Sequence, residues 1–189
     1  MKKIVLFASG KGSNVENIIQ YFKSNKDVVV ASVFSNNPSA QVLEKAENNN
    51  IPTVVFNKTE LTEGLVENKI DEIKPDLIVL AGFLLKFPDA IIKKYPNKII
   101  NIHPALLPKY GGKGMYGMNV HKTILENKEM ETGISIHYVN EHYDEGGIIF
   151  QKEINITDCN SPEAIAKKVH QLEQQYFPQV IKKLLTSNF

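Results

Sequence analysis

The sequence predicts an α/β protein with a Rossmann-like, doubly wound sheet that is mostly parallel and has an antiparallel C-terminal edge. Up to about residue 105, short apolar runs alternate with segments whose apolar residues recur at helical spacing. That alternation is typical of parallel strands joined by crossover helices. Two later strand-like runs flank the glycine-containing turn Glu145–Gly147, which favours antiparallel pairing. No repeat or linker interrupts the pattern, so we expect one domain over residues 1–189.

The first apolar run shows why the early segments are interpreted as buried strands. Lys3–Ala8 is almost continuously apolar and ends at Ser9–Gly10, as expected for a strand that is covered on both faces. Asn14–Phe22 then repeats apolar residues at helical spacing. The same reasoning predicts strands at Val28–Phe34, Thr53–Phe56, Leu77–Ala81 and Ile99–Ile102, and helices at Ala40–Asn48, Leu61–Ile73 and Pro88–Lys94.

The second half is predicted from turn and capping residues as well as from periodicity. Glycines crowd the segment Lys109–Asn119, which we expect to be a mobile loop. Ser161 and Pro162 have the usual order of an N-cap and a first helical residue, and they predict a long final helix that Pro178 kinks. The elements predicted between the loop and this helix are a helix at Val120–Glu126 and strands at Gly133–Val139 and Ile148–Ile156.

Composition narrows the class of protein. Of the 189 residues, 42% are apolar and 23% are charged, which is a globular composition. The 22 Lys and Arg residues are nearly balanced by 21 Asp and Glu residues, so no overall charge attracts nucleic acid. No apolar run approaches the roughly 18 residues that cross a membrane, and the short run after Met1 is interpreted as a strand rather than a leader. The single cysteine excludes an internal disulfide. We expect a cytoplasmic protein that acts on small molecules.

The turn after the first strand, Ser9–Asn14, predicts a phosphate site. Its glycines let an anion approach the backbone, the following helix offers free N–H groups, and Ser13 and Asn14 add side-chain donors. The dinucleotide-binding pattern fails because Val15 replaces its third glycine and no acidic residue follows the second strand. The turn therefore predicts a phosphate monoester held by Gly12, Ser13 and Asn14, with a plain capped turn as the alternative.

An amide and an imidazole, Asn101 and His103, lie two residues apart where the fifth predicted strand ends, so both can face the same side. Pro104 restricts His103 to extended conformations. Two N–H donors aimed at one point suit an oxyanion, and an imidazole can also move a proton near neutral pH. Asp144 is the predicted partner that orients the ring and raises its pKa. The alternatives are a plain strand end and a plain turn before glycines.

The remaining histidines are assigned no chemistry. We expect His137 to be a half-buried residue that packs or supports the site from behind. His121 and His170 are expected on helix surfaces or helix starts, and His142 on a loop. Because these histidines are scattered and the chain has one cysteine, we predict no metal site.

Four short motifs occur together in the chain: Gly-x-Gly-Ser-Asn after the first strand, Ala-Gly-Phe after the fourth, Asn-Ile-His-Pro-x-Leu-Leu-Pro after the fifth, and Asp-x-Gly-x-Ile near the late strands. In this order and at this spacing they resemble the phosphoribosylglycinamide formyltransferases, and the similarity spans nearly the whole chain. The histidine motif belongs to the wider superfamily that uses 10-formyltetrahydrofolate. The glycine turn and the single-domain length point within it to the purine enzymes.

The resemblance implies transfer of a formyl group from 10-formyltetrahydrofolate, a co-substrate, to the amine of phosphoribosylglycinamide in purine (IMP) biosynthesis. It implies that Asn101, His103 and Asp144 are catalytic and that Gly12–Asn14 hold the substrate phosphate. The implied glycinamide contact region is His170, Gln171, Leu172 and Glu173. The implied folate-binding residues are Leu84, Leu85, Lys86, Phe87, Asn101, Asn140, Glu141, His142, Tyr143 and Asp144. No nucleic-acid or membrane partner is expected, and the enzyme would be a monomer or a homodimer.

The chain departs from the family pattern in three places. An arginine that contacts folate in relatives has no equivalent here, and Lys58 and Thr59 are both candidates for its role. A basic residue is frequent at the position of Leu85, whereas here the lysine is the next residue, Lys86. The loop Gly111–Asn119 is longer than in many relatives, and its glycine content suggests a lid.

Three other functions fit parts of the same pattern. A formyltetrahydrofolate hydrolase would use the same three catalytic residues with water as acceptor, but such relatives usually carry an extra domain ahead of the catalytic one. A methionyl-tRNA formyltransferase would need an RNA-binding domain and a basic surface. A phosphosugar-binding module would explain Gly12–Asn14 but would leave Asn101, His103 and Asp144 without a role.

Overall fold

The computed structural model describes residues 1–186. Its strands are β1 Lys2–Phe7, β2 Val28–Ser35, β3 Thr53–Val55, β4 Leu77–Leu80, β5 Ile99–His103, β6 Glu131–Tyr138 and β7 Ile148–Asn155. Its helices are α1 Ser13–Phe22, α2 Gln41–Glu47, α3 Lys58–Thr62, α4 Leu65–Ile73, α5 Asp89–Lys94, α6 Met118–Glu126 and α7 Pro162–Thr186. Strands β1 to β5 pair parallel, whereas β6 pairs antiparallel with both β5 and β7, so the predicted fold class is confirmed.

The sheet order is β3-β2-β1-β4-β5-β6-β7, which places β1 and β4 side by side although they are distant in sequence. The chain therefore builds the sheet outward from β1 in one direction and then in the other. Such a reversal opens a crevice at the carboxyl ends of the two central strands, where open α/β sheets bind their ligands. The turn that follows β1 and the turn that follows β4 both border this crevice.

Helices cover both faces of the sheet, as a doubly wound fold requires. One core cluster joins the sheet to α1, α2, α6 and α7 and includes Leu6, Ile18, Val42, Ile124 and Val169. The other core cluster joins the sheet to α3, α4 and α5 and includes Phe7, Leu61, Ile70 and Ile91. Because β1 carries Leu6 to one cluster and Phe7 to the other, its apolar run is continuous rather than alternating.

An aromatic cluster supports the segment that follows β4. The fully buried ring of Phe7 stacks on Phe34 with ring centroids 4.7 Å apart. Phe83 and Phe87 approach the same ring edge-on at 5.4 Å and 5.2 Å. Edge-to-face and offset-stacked pairs add to the burial free energy of aromatic rings. Phe7 therefore fixes both ends of the segment 83–87 at the rim of the crevice.

The structure corrects one predicted helix. Leu61–Ile73 is not continuous, because α3 and α4 are separate helices on either side of Gly64, whose φ is +92°. A side chain there would be strained, and the glycine allows the chain to turn between the two helices. The N-terminal end of α3 is set by a capping box in which Asn57 and Glu60 satisfy each other's backbone N–H groups.

The long final helix begins as predicted, because Ser161 Oγ accepts a hydrogen bond from the Ala164 N–H at 3.2 Å. It continues through Pro178 to Thr186, and a kink at that proline stays a prediction. Helix α6 begins at Met118, before the predicted start at Val120. The mobility of Lys109–Asn119 and the assignment of residues 1–189 to one domain stay predictions, and residues 187–189 lie outside the described part of the chain.

Within residues 1–186, no helix has both the length and the apolar character needed to cross a membrane.

Truncation of the aromatic cluster is the sharpest test of this packing. Phe7→Ala should lower the free energy of unfolding by about 3–5 kcal/mol, the usual range for a buried phenylalanine. The surrounding rings of Phe34, Phe56, Phe83 and Phe87 cannot move to fill the cavity. Urea unfolding monitored by circular dichroism measures the change. Tyr21→Ala, which removes a 42% exposed ring on α1, is the control and should cost far less. A loss of under 1 kcal/mol for Phe7→Ala would contradict the proposed support.

Candidate active site

A pocket of about 850 Å³ lies at the carboxyl ends of β1, β4 and β5. Its wall includes the glycine turn after β1, the segment 80–87 and the end of β5 with Asn101 and His103. The segment 112–118, the loop 139–144 and one side of α7 complete the wall. The structure thus brings together most residues that the sequence selected. Those that line the pocket are Gly12, Ser13, Asn14, Leu84, Leu85, Lys86, Phe87, Asn101, His103, Asn140, His142, Tyr143, Asp144, His170 and Glu173.

Three predicted site residues do not line the pocket: Glu141, Gln171 and Leu172. On α7, His170 and Glu173 are three positions apart and share the pocket side of the helix. Helical geometry turns the two residues between them away, so Leu172 is buried in the core and Gln171 is exposed. Glu141 is half-buried in the turn after β6 and is not part of the pocket wall.

The glycine turn has the geometry of an anion site. Gly12 adopts φ +67°, and a Cβ at this position would overlap the side chain of Val42. Helix α1 begins directly after it without a side-chain cap, which leaves its first N–H groups free for a ligand. The Val42 N–H donates to the Gly10 carbonyl at 3.1 Å and holds the turn against α2. Only glycine fits position 12, so the sequence pattern has a steric cause.

Ser9 connects three strand ends, a role that the sequence did not reveal. Its hydroxyl donates to Asn36 Oδ1 at 2.6 Å and accepts from the Leu84 N–H at 3.0 Å. Its own N–H donates to the Gly82 carbonyl at 3.0 Å. These bonds join the ends of β1, β2 and β4 and set the depth of the crevice.

The Asp144 carboxylate is the centre of the site, and its side chain is only 11% exposed. Oδ2 lies 3.5 Å from His103 Nδ1 and accepts from the Gly112 N–H at 2.9 Å. Oδ1 lies 3.5 Å from His137 Nε2 and 3.5 Å from Asn101 Nδ2. The predicted convergence of an amide, an imidazole and a distant carboxylate is therefore present in the geometry.

The orientation of the His103 ring is fixed by a main-chain acceptor. His103 Nε2 lies 2.7 Å from the carbonyl oxygen of Tyr110. A carbonyl can only accept, so Nε2 carries a proton in both charge states of the ring. Nδ1, which faces Asp144, is consequently the nitrogen that gains and loses the proton.

His137 supports Asn101 across the antiparallel pairing of β5 and β6. The strand register places Asn101 opposite His137. His137 Nδ1 lies 2.8 Å from the Tyr138 carbonyl, which can only accept, so Nδ1 donates to it. Nε2 lies 3.2 Å from Asn101 Nδ2, on the side of the ring that faces Asp144. His137 is buried rather than half-buried.

Burial outweighs the effect of Asp144 on the pKa of His103, although Asp144 raises that pKa as predicted. Burial lowers the pKa of the ring, while the Asp144 charge and the Tyr110 carbonyl raise it only in part, so the pKa lies below the ordinary value of 6.5. Burial raises the pKa of the Asp144 carboxyl, but the hydrogen bond to His137, the charge of His103 and the Gly112 N–H together lower it below its usual value. Near neutral pH the site therefore holds a carboxylate beside a neutral imidazole.

Glu173 is part of the pocket and not a solvated helix residue, with its side chain 14% exposed. Its Oε2 accepts from Asn14 Nδ2 at 3.0 Å and lies 3.1 Å from His170 Nδ1. The hydrogen bond to Glu173 raises the pKa of His170 despite partial burial. Gln174, which sequence reasoning missed, donates to Asn14 Oδ1 at 2.9 Å. These bonds attach α7 to the glycine turn.

His121 does not lie on a helix surface, as the sequence analysis expected, but is 5% exposed and lines the pocket. Helix α6 buries Val120, His121 and Ile124 together, and this apolar spacing was the available signal. Neither Lys58 nor Thr59 lines the pocket. Lys86 does, and its Nζ pairs with Asp89 at 3.0 Å.

Within the described residues, no three His, Cys, Asp or Glu side chains are grouped closely enough to hold a metal ion.

The fold and the site together define a group-transfer enzyme. Its pocket holds two donors, Asn101 and His103, and the Asp144 carboxylate beside the glycine turn. The chain belongs to the formyl transferase family, whose model matches residues 2–181. It is 38% identical to phosphoribosylglycinamide formyltransferase of Bacillus subtilis, over 100% of this chain and 97% of that protein. It is 37% identical to the chloroplastic enzyme of that name from Arabidopsis thaliana, over 95% of this chain but only 64% of the relative's length.

Solved structures agree with this assignment. The structure of phosphoribosylglycinamide formyltransferase from Coxiella burnetii superimposes with a TM-score of 0.88 at 35% sequence identity, covering 97% of this chain and 87% of that one. The family resemblance that the sequence indicated is therefore confirmed.

The lowered pKa of His103 predicts how stability depends on pH. Below pH 6.5 the unfolded ring binds a proton that the folded ring does not, so this contribution to stability is complete above that pH and falls as the pH drops below it. His103→Gln should therefore show a flatter decline of the urea midpoint between about pH 7 and pH 5. Tyr143→Phe, on the neighbouring loop, is the control. Parallel declines in wild type and His103→Gln would contradict the lowered pKa.

Proposed function

We propose that the chain transfers the formyl group of 10-formyltetrahydrofolate to the primary amine of phosphoribosylglycinamide, yielding formyl-phosphoribosylglycinamide and tetrahydrofolate. The observation that carries this proposal is the meeting of Asn101, His103 and Asp144 in the pocket that also contains the glycine turn. The activity for which the relatives are named supports the same reaction.

The glycine turn is assigned to the substrate phosphate. Gly12, Ser13 and Asn14 line the pocket where α1 begins, and the free N–H groups of that helix attract a dianion. Glu173 lies next to this turn through its bond to Asn14 and is assigned to the ribose–glycinamide part. His170 shares that carboxylate and supports it. The substrate then extends from the turn toward His103.

The opposite side of the pocket is assigned to the folate. The segment 84–87 follows β4, and Asn140, His142 and Tyr143 lie across from it on the loop before Asp144. Leu84 and Tyr143 are exposed at 54% and 43%, so the mouth has apolar surface that an aromatic folate ring can cover. This placement brings the N10-formyl group to the carboxyl end of β5.

The reaction needs one carbon–nitrogen bond to form and another to break. The amine nitrogen attacks the formyl carbon, and the carbonyl oxygen becomes an oxyanion. The Asn101 carboxamide and the protonated His103 ring are assigned to stabilise that oxygen, because both side chains line the pocket at the end of β5. When the intermediate collapses, the bond to folate N10 breaks and N10 takes up the proton that the amine loses.

Asp144 makes His103 able to assist. Burial of the ring disfavours the imidazolium, whereas Asp144 favours it. An oxyanion that develops beside the ring adds a second negative charge and shifts the balance toward the protonated form. The ring is thus charged when the transition state needs the donor, and Asp144 stays ionised throughout.

We place the reaction in the cytoplasm, with two small molecules as its partners, and we assign no nucleic-acid or membrane partner. A monomer and a homodimer are both compatible with the site, because every assigned residue comes from one chain.

The reaction is tested by mixing the purified chain with 10-formyltetrahydrofolate and following tetrahydrofolate release spectroscopically. Release that requires phosphoribosylglycinamide supports the transferase. Release without it identifies a hydrolase, and no release in either case overturns the proposal.

Removal of each central side chain should abolish most turnover. Asn101→Ala and His103→Ala should each lower kcat by about 100- to 1000-fold, the usual loss for an oxyanion donor, and Asp144→Ala should lower it comparably. Asn127→Ala and Asp158→Ala, matched changes on the exposed surface, should retain wild-type turnover. Circular dichroism checks the fold of each variant. Near-normal kcat in folded His103→Ala would refute the assignment.

A substitution in the glycine turn should affect the binding of phosphoribosylglycinamide rather than the chemical step. Ser13→Ala removes one hydroxyl donor to a charged group and should raise KM for phosphoribosylglycinamide about tenfold with little change in kcat. KM for 10-formyltetrahydrofolate should stay constant. Ser39→Ala, at an exposed serine after β2, is the matched control. An unchanged KM in Ser13→Ala would remove the phosphate from this turn.

A further inference from the structure

His121 carries a polar group that nothing in the protein satisfies. Its ring is 5% exposed on α6, and Nδ1 is fully buried without a hydrogen-bond partner among residues 1–186. A buried polar atom without a partner is unfavourable, and such atoms in folded proteins commonly have a functional reason. The catalytic assignments above give this ring no part.

The surroundings of His121 lie on the amine-substrate side of the pocket. The ring lines the pocket together with Glu173 and His103. Burial lowers the pKa of His121, Glu173 raises it in part, and the nearby His103 lowers it further. Glu173 is bonded to Asn14 of the glycine turn, and both Glu173 and His103 are close enough to His121 to shift its pKa, so the ring belongs to the part of the wall between that turn and His103.

The position of the proton on the ring follows from burial. A neutral imidazole carries one proton, and buried N–H groups without a partner are rarer in proteins than buried acceptors without one. The proton therefore belongs on Nε2, and the unpartnered Nδ1 keeps its lone pair. Nε2 is not one of the fully buried atoms without a partner, and the ring lines the pocket, so its N–H is a donor that a bound molecule can reach.

We propose that His121 is a binding residue for the amine substrate and donates its Nε2–H to an uncharged oxygen of the sugar–amide part. The inference rests on the proposed function, in which Gly12–Asn14 hold the phosphate and His103 faces the formyl group. A molecule anchored at both ends lays hydroxyl and carboxamide oxygens along the wall between them. A neutral donor suits such oxygens, because it adds no charge that would compete with His103 for the oxyanion.

Two substitutions separate the donor from the packing of the ring. His121→Phe keeps a ring of similar volume and removes both nitrogens. KM for phosphoribosylglycinamide should rise about tenfold, the equivalent of one hydrogen bond, while KM for 10-formyltetrahydrofolate and kcat stay within about threefold. His121→Gln keeps an N–H donor at a similar reach and should hold both KM values near wild type.

Thermal unfolding supplies a readout of opposite sign. His121→Phe should have a Tm equal to or above that of wild type, because the unpartnered Nδ1 is gone. Thr132→Val is the matched control, since Thr132 Oγ1 is the other fully buried atom without a partner in the described chain and lies outside the main pocket. It should likewise not lower Tm, and it should leave both KM values unchanged.

The outcomes distinguish this inference from the proposed function. Wild-type turnover with unchanged KM values in folded His121→Phe overturns the role of His121 alone, and so does an equal rise of KM in the Phe and Gln variants. A lower Tm with unchanged KM assigns the ring to packing and also overturns the inference. If His121→Phe does not fold, His121→Leu replaces it in the comparison with His121→Gln. Absence of turnover in wild type instead overturns the proposed function.

Discussion

The site depends on a buried carboxylate that the fold must keep ionised. Removing a carboxylate from water is costly. A buried carboxylate without partners would either take up a proton or destabilise the protein. Asp144 avoids this because the hydrogen bond to His137 and the Gly112 N–H lower the pKa of its carboxyl against the effect of burial, and the Asn101 amide lies 3.5 Å from Oδ1. It also adopts φ +58°, a conformation that non-glycine residues seldom take and that persists where surrounding contacts determine it. The loop before β7 is shaped around this carboxylate.

The antiparallel edge is what brings those partners together. A sheet with only parallel strands would end β5 in the crevice with Asn101 and His103 but with no neighbour at their side. Strand β6 runs back along β5 and places His137 opposite Asn101, and the loop after β6 then returns Asp144 to the same point. The parallel half of the sheet contributes the glycine turn, and the antiparallel half contributes the Asp144 carboxylate. The proposed reaction takes place at the boundary between the two halves.

The sequence specified the strands and the site motifs but not the environment of individual side chains. Continuous apolar runs predicted β1 and β4 because both faces of the sheet are covered, and the Ser161 cap predicted the start of α7. The division at Gly64 was available in the sequence but was outweighed by the apolar spacing around it. Helical periodicity alone could have predicted that Gln171 and Leu172 do not line the pocket. The lowered pKa of His103 could not be predicted, because it depends on which surfaces cover the ring in the folded chain.

The bond from His103 to the carbonyl of Tyr110 has a consequence for comparing family members. Every amino acid has a main-chain oxygen, so this acceptor survives any replacement of the side chain at position 110. Family members with a different residue at position 110 could still orient the imidazole in the same way. An alanine scan would likewise pass over one of the groups that decides which nitrogen titrates. Its detection requires a perturbation of the peptide unit itself, such as an ester in place of the following amide, which weakens the carbonyl as an acceptor.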